Sequence, residues 1–316
     1  MTGTVRRRRP WAWIWVQRLD DWLLPTAPPE RLAVVRLAVG IYAYVNVFIS
    51  TGEFARLVDR PAAEFEPVGV ATLLDAPVSA LVVWLAYAAS VVSGAGFVAG
   101  AAFRLSGPVF ALCNLAWASY HASWGQMLHF EHLVTLHLLV LGFSPAAVAL
   151  SVDARWGRRS PGRPDLSYGW PLRVMAIMTV VTYVLAGVTK LRVSGWAWVD
   201  GTTLVNHIGY SATRLDLLGE PRPPLATFVV GQEWLSGPMA MGALGVELLA
   251  PLALFGGWFR RVWVPSVLLF HLGTLTTMFV FFSFNGLGLA LLPLYRVECL
   301  LERRRWRGAM GRWRSG

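Results

Sequence analysis

The chain of 316 residues is 55% hydrophobic and only 15% charged, with a mean hydropathy of +0.51. A soluble domain carries roughly 25% charged residues, so the composition excludes an ordinary water-soluble protein and points to lipid as the solvent. The net charge of +10 does not indicate nucleic acid, because the arginines flank apolar runs and read as topology signals.

In chain order, the first element is a basic stretch, Arg6-Arg7-Arg8-Arg9, followed by Trp11, Trp13, Ile14, Trp15, Leu19 and Trp22. This is too polar for a cleavable leader and reads as an amphipathic helix lying in the membrane interface. A helix needs about 20 apolar residues to cross the hydrocarbon core. Segments 31–51, 78–103, 107–124, 127–149, 171–191, 237–257, 262–282 and 285–301 meet or approach that length. The third and eighth are short, and the eighth reads as tilted or re-entrant. Pro108, Pro171, Pro238 and Pro265 are expected near span starts, where a missing N–H costs least.

The expected fold is therefore an all-α polytopic membrane protein, a bundle of about eight transmembrane helices (seven to nine) behind an N-terminal interfacial helix. Residues 1–30 are assigned to the basic segment and interfacial helix, 31–301 to the transmembrane domain and 302–316 to a basic tail. Alternating loops divide the arginines twenty to five. By the positive-inside rule this places both termini in the cytoplasm of a multi-pass protein. The two larger outer loops, 52–77 and 192–236, are the material available for an extracytoplasmic face.

Among 28 basic residues Lys190 is the only lysine. An arginine bias of this kind fits a GC-rich bacterial genome, and a lone surviving lysine marks a position where arginine cannot substitute. Arginine stays charged, whereas lysine can give up its proton and act as a base. Against this stands the bland reading, an interfacial lysine that snorkels to the headgroups. The fourth segment opens with His129-Phe-Glu-His132 and continues to His137, while His121 closes the third. His129 and His132 share a helix face at the level of Lys190. A metal or haem reading stays open for these histidines, but no second HxxH or cysteine cluster completes a site, and no metal is predicted. Hydrogen-bonded polar glue between helices is the broader alternative. Cys113 and Cys299 have no CxxC spacing. Glu247 and His271 fall near the middle of the sixth and seventh segments. With Arg36 of the first as a further candidate partner, they form a polar strip suited to a long amphiphile with a polar head.

Tyr183-x-x-Ala186-Gly187-x-x-Lys190-Leu191, followed by Trp196 and Gly201, resembles the lysine motif of vitamin K-dependent gamma-carboxylases. More broadly, the chain resembles the HTTM domain that those carboxylases share with many bacterial proteins. Arg36-Leu-Ala-Val-Gly40, Ala149-Leu-Ser-Val-Asp153 and Phe270-His271 match in the same order, over most of residues 30–300. The resemblance implies that Lys190 is the base that deprotonates reduced vitamin K, or menaquinol in a bacterium. It also puts His129 at the family's functional histidine, with His132 as the fallback, and His271 at the histidine of the Phe-His pair. The large extramembrane portion of the carboxylases is not expected here, and Thr189 stands where the animal enzymes have a second lysine.

The leading expectation is a bacterial plasma-membrane enzyme acting on a reduced isoprenoid quinone at an outer-leaflet site, with carboxylation as a coupled step. Lys190 and His129 would be catalytic, and His271, Glu247, His132 and Arg36 would bind substrate. The rival expectations are an accessory or maturation factor for a secreted peptide or a separate extracytoplasmic protein, and a bis-histidine haem carrier using His129 or His132 with His271.

Overall fold

The computed structural model describes residues 18–125, 131–157, 163–299 and 301. His129, the four-arginine run, the tryptophan-rich stretch 11–15 and the tail 302–316 lie outside the described residues. Within them the chain is helical and has no strand, only an isolated antiparallel bridge between Ala27 and Asp165.

Eight helices of at least eleven residues carry the described fold: α1 Pro29–Ile49, α2 Ala80–Ala99, α3 Phe103–Ala122, α4 His132–Gly142, α5 Leu166–Ser194, α6 Thr202–Leu217, α7 Glu233–Leu248 and α8 Gly257–Met278. Three of them, α1, α2 and α5, are long and apolar enough to cross a membrane. The helices α3 and α8, with 20 and 22 residues, have the length but more polar sequences. Large apolar side chains face outward all along the bundle, including Ile49 (73% exposed), Leu81 (69%) and Val92 (74%). Water would leave so much apolar surface unsatisfied, so this is the surface of a membrane protein.

The eight helices are not the eight segments expected from hydropathy. Helix α6 falls inside the expected outer loop 192–236 and is amphipathic, burying Leu204 and Ile208 against its neighbours. The expected eighth span, 285–301, is instead broken into a turn of helix at Ser283–Gly286 and a 3-10 stretch at Leu289–Leu294. Its Gly288 has φ 76° and Pro293 lies inside the 3-10 stretch. These two residues prevent a continuous helix despite the apolar composition. Lipid cannot satisfy an irregular backbone, which survives at membrane depth only when enclosed by protein. Accordingly Phe284, Ala290, Leu291 and Leu294 are all buried. The prolines also differ from expectation: Pro108, Pro171, Pro238 and Pro265 lie inside α3, α5, α7 and α8, where neighbouring helices can supply compensating contacts.

The main core joins α1 to α4 with the first half of α5 and residues 284–297. A second cluster packs the later part of α5 against α8 and residues 250–255, and a third gathers α6, α7 and Trp198. Helix α5 thus runs through both halves of the molecule. At 29 residues it is roughly 43 Å long, well beyond the ~30 Å hydrocarbon core.

One end of the bundle is closed by polar contacts that gather two of the sequence motifs. Nη2 of Arg36 donates to the Leu150 carbonyl at 2.7 Å, and the Asp153 amide donates to the Gly100 carbonyl. Both Asp153 oxygens accept amides at the start of α3, from Ala102 at 3.0 Å and Phe103 at 2.9 Å. The motifs Arg36–Gly40 and Ala149–Asp153 therefore have a structural meaning: they fasten α1, α2 and α3 together. Buried amides that lose their acceptor cost about 1–3 kcal/mol. Asp153→Ala is accordingly expected to lower the melting temperature by several degrees in scanning fluorimetry, and Asp153→Asn by less, since one acceptor oxygen remains.

Candidate functional site around Lys190

Tyr183, Ala186, Gly187 and Lys190 are spaced i, i+3, i+4 and i+7, so they share one face of α5. The structure gives three of these positions, Tyr183, Gly187 and Lys190, a partner on another element. The Tyr183 hydroxyl lies 2.7 Å from Nε2 of His271 on α8 and accepts a hydrogen bond from Nδ2 of Asn285 at 2.9 Å. Gly187 opposes Glu247 and Leu248 at the end of α7. A Cβ at Gly187 would stand 3.0 Å from the Glu247 Cβ and 2.8 Å from Leu248 Cδ2, so only glycine lets the helices come this close without adjustment. That approach brings Nζ of Lys190 onto Oε1 of Glu247 in a direct ion pair.

Glu247 is 2% exposed and the Lys190 side chain 22%. The carboxylate is thus enclosed, while the lysine side chain is partly exposed. Above the pair the Lys190 nitrogen lies 5.1 Å from the ring centroid of Trp198, a cation–π contact that favours a charged nitrogen at this spot. Gly201 anchors the turn that carries Trp198. Its φ is 90°, and a Cβ there would fall 2.3 Å from the backbone carbon of Ser236, so both the backbone conformation and the close approach of α7 require glycine.

Below the pair, aromatic rings surround the Tyr183–His271 hydrogen bond. Trp263 meets Tyr183 edge-on at 5.4 Å, and Phe270 and Phe282 lie 5.2 and 5.7 Å from His271. The Trp263 indole donates to the Val246 carbonyl at 2.7 Å, holding α8 against the turn that carries Glu247. Two buried polar atoms here, Oε2 of Glu247 and Nδ1 of His271, have no hydrogen-bond partner among the described residues. Buried polar atoms are ordinarily paired, so this pocket of the bundle holds unused capacity to accept and donate.

The structure therefore brings together three of the residues singled out in the sequence, Lys190, Glu247 and His271. It places others elsewhere. Arg36 sits fully buried in the motif-fastened end with Leu150 and does not pair with Glu247 or His271. Glu247 pairs with Lys190 and His271 with Tyr183. His132 opens α4, and His121 stacks on Trp117 at 5.2 Å. His137 is fully buried between α4 and α5, with Nε2 3.2 Å from the Met175 carbonyl and 3.2 Å from the Thr179 hydroxyl; it joins helices. The described residues contain no group of three or more His, Cys, Asp and Glu able to hold a metal.

Three contributors escaped the sequence reading. Tyr183 was visible as part of the motif, and its i, i+7 spacing to Lys190 could have assigned it to the site. Trp198 was one of sixteen tryptophans, and the motif pointed instead to Trp196, which the structure leaves exposed while Trp198 lies against Lys190. Asn285 lies at the start of the broken segment, where no helical period points it inward.

The family model of the HTTM domain matches residues 25–300, which covers the whole of the site. No curated protein and no solved structure gives a significant match.

Proposed function

The chain belongs to the HTTM-domain family, and from that premise we propose that it is a membrane enzyme in which the Lys190–Glu247 pair takes a proton from a reduced isoprenoid quinone. The observation that carries this reading is the pair itself. The sole lysine of the chain is bound to a buried carboxylate whose second oxygen has no partner among the described residues, near an imidazole whose second nitrogen likewise has none there. A reduced quinone supplies, when bound, acidic phenolic hydroxyls and two reducing electrons. The step needs Lys190 as the free amine: once its own proton has left, Nζ accepts the quinol proton, and the Glu247 carboxylate holds Nζ in place and neutralises the positive charge formed there. His271, oriented by Tyr183 and Asn285, offers its free nitrogen to a ring oxygen. The aromatic residues around it exclude water and favour a flat ring. His129 and His132 remain further candidates to orient substrate from the start of the fourth segment.

The distribution of arginines supports a topology with both termini cytoplasmic, a multi-pass bundle of about eight crossings in a bacterial plasma membrane, and Lys190 on the outer side. Carboxylation of a peptide or protein partner would be the coupled step. A non-catalytic role in maturing a secreted partner is the alternative. The lone lysine separates the two, since a scaffold has no need of a titratable amine and tolerates arginine.

The test is quinone epoxide formation, followed by mass spectrometry. Wild-type and Lys190→Arg proteins in lipid nanodiscs are given reduced menaquinone, oxygen and bicarbonate; the quinol and oxygen yield epoxide and water. Epoxide from wild type alone is the expected result. Folded protein of both kinds giving none would overturn the reading and favour the maturation factor.

A further inference from the structure

Four arginines, Arg31, Arg173, Arg260 and Arg296, line a single pocket of about 130 Å³ at the end of the bundle opposite Lys190. That is several times the roughly 30 Å³ one water takes up in the liquid. The walls come from four separate parts of the chain: the start of α1, the second turn of α5, the start of α8 and the exit of the broken segment. A strap at residues 25–27 completes them, tied to α5 by the Ala27–Asp165 bridge. Gly169 lets this strap lie directly on α5, because a Cβ there would fall 1.5 Å from the Pro25 carbonyl oxygen. The arrangement is thus built by the fold and does not depend on loose side chains meeting at a surface.

The charges in it do not balance. Glu298 serves two of the arginines: it accepts Arg31 through Nε at 2.8 Å and Nη2 at 2.6 Å, and Arg296 at 3.4 Å. Arg173 and Arg260 have no carboxylate partner among the described residues. Arg173 reaches the Leu254 carbonyl at 3.4 Å and stacks on Trp22 at 4.7 Å, and its buried Nε has no partner among the described residues. Arg260 donates to the carbonyls of Ala253 and Leu294 and lies 5.9 Å from the Tyr295 ring. Four guanidinium groups therefore share one acidic side chain. Converging like charges repel unless an anion joins them, and guanidinium forks suit phosphate oxygens in particular. Beside the pocket, Leu24, Phe255 and Trp258 expose 46%, 72% and 68% of their surface, and Phe255 stacks with Trp22. Apolar flanks next to a cationic pocket match the division of a phospholipid into headgroup and chains.

We propose that this pocket binds a phosphate-bearing anion, first the headgroup of an anionic phospholipid and second free phosphate. The site is separate from Lys190 and stands whether or not the chain is an enzyme. Its test uses full-length protein in chloride buffer. Native mass spectrometry measures retention of added phosphatidylglycerol against phosphatidylcholine, and thermal shift measures the response to inorganic phosphate. Arg173→Gln with Arg260→Gln is expected to weaken phosphatidylglycerol binding about thirtyfold. Arg56→Gln with Arg222→Gln, which removes two exposed arginines outside the pocket, should leave binding unchanged. A wild type that ignores phosphatidylglycerol but is stabilised by phosphate, with the response lost in the double variant, assigns the pocket to the free anion. Should the double variant fail to fold, Arg296→Gln replaces it. That side chain is 76% exposed, and its loss should weaken binding about fivefold. Equal retention of both lipids by every variant, with no phosphate response, overturns the proposal.

Discussion

Replacing Lys190 with arginine is expected to reduce quinol turnover by at least about a hundredfold, the lower end of what a positioned general base contributes, while the protein stays folded. Arginine preserves the charge opposite Glu247 and the stacking on Trp198; what it removes is the ability to hold and release a proton at working pH. The complementary change, Glu247→Gln, should cost stability as well. Removing one member of a buried pair costs about 3–5 kcal/mol, and the lower figure applies because the Lys190 side chain is 22% exposed and can be partly compensated from outside. A double change to Lys190→Met with Glu247→Leu separates the two effects. It should recover most of the stability lost in the single Glu247 variant, since apolar replacement of a whole buried pair is often neutral. It should recover no activity. Melting curves and turnover of wild type, Lys190→Met, Glu247→Leu and the double variant form the cycle that tests this; full turnover in the apolar double variant would end the case for a proton-transfer pair.

The second large effect is expected at Gly201. Gly201→Ala places a methyl group 2.3 Å from the Ser236 backbone carbon in a residue with φ 90°. Backbone strain of this kind costs about 1–3 kcal/mol, and the collision with a main chain that cannot rotate away adds to it. The expected outcome is loss of most folded protein, read as the monodisperse fraction in size-exclusion chromatography. Gly187→Ala forms the contrast. Its Cβ would meet the end of a flexible leucine and a Cβ at 2.8 and 3.0 Å, so a small shift of α7 suffices. That protein should fold, with turnover reduced because the shift draws Glu247 away from Lys190. Two glycines of one motif thus predict different failures, one of folding and one of alignment.

These contrasts show what was legible in the sequence. Composition identified a lipid-facing helical protein, because a charge deficit and long apolar runs have no other economical solution. The spacing in Tyr183–Leu191 identified one helix face and its lysine. What the sequence concealed were pairings across the bundle. Glu247 and His271 each lie on a different helix from their partners, and no periodicity within one segment can tell which buried acid meets which base. Hydropathy also read residues 285–301 as a helical span, tilted or re-entrant, since it registers apolar composition and is blind to the breaks at Gly288 and Pro293. The same scale passed over α6, whose alternating faces average to little hydropathy although the helix packs firmly on α7 and α8. Arg36 looked like a candidate ligand for substrate because a charge within an apolar run is costly; its fold partner, a carbonyl 114 residues away, left no trace in local sequence.

The broken segment after α8 has a bearing on how the protein is made. A continuous apolar helix can enter the bilayer by itself, because its main chain is internally satisfied before any neighbour arrives. Residues 283–299 cannot, since several of their carbonyls rely on distant side chains: Thr179 lies 3.0 Å from the Ala290 oxygen, and Arg260 donates to Leu294. This stretch must therefore wait in a translocation channel or at the water interface until the preceding helices have assembled a slot for it. Biogenesis then acquires an order, with an element made after α1–α8 serving as the closing plug. Pulse-labelled chains should accordingly become protease-resistant at α1–α5 before residues 283–299 are protected.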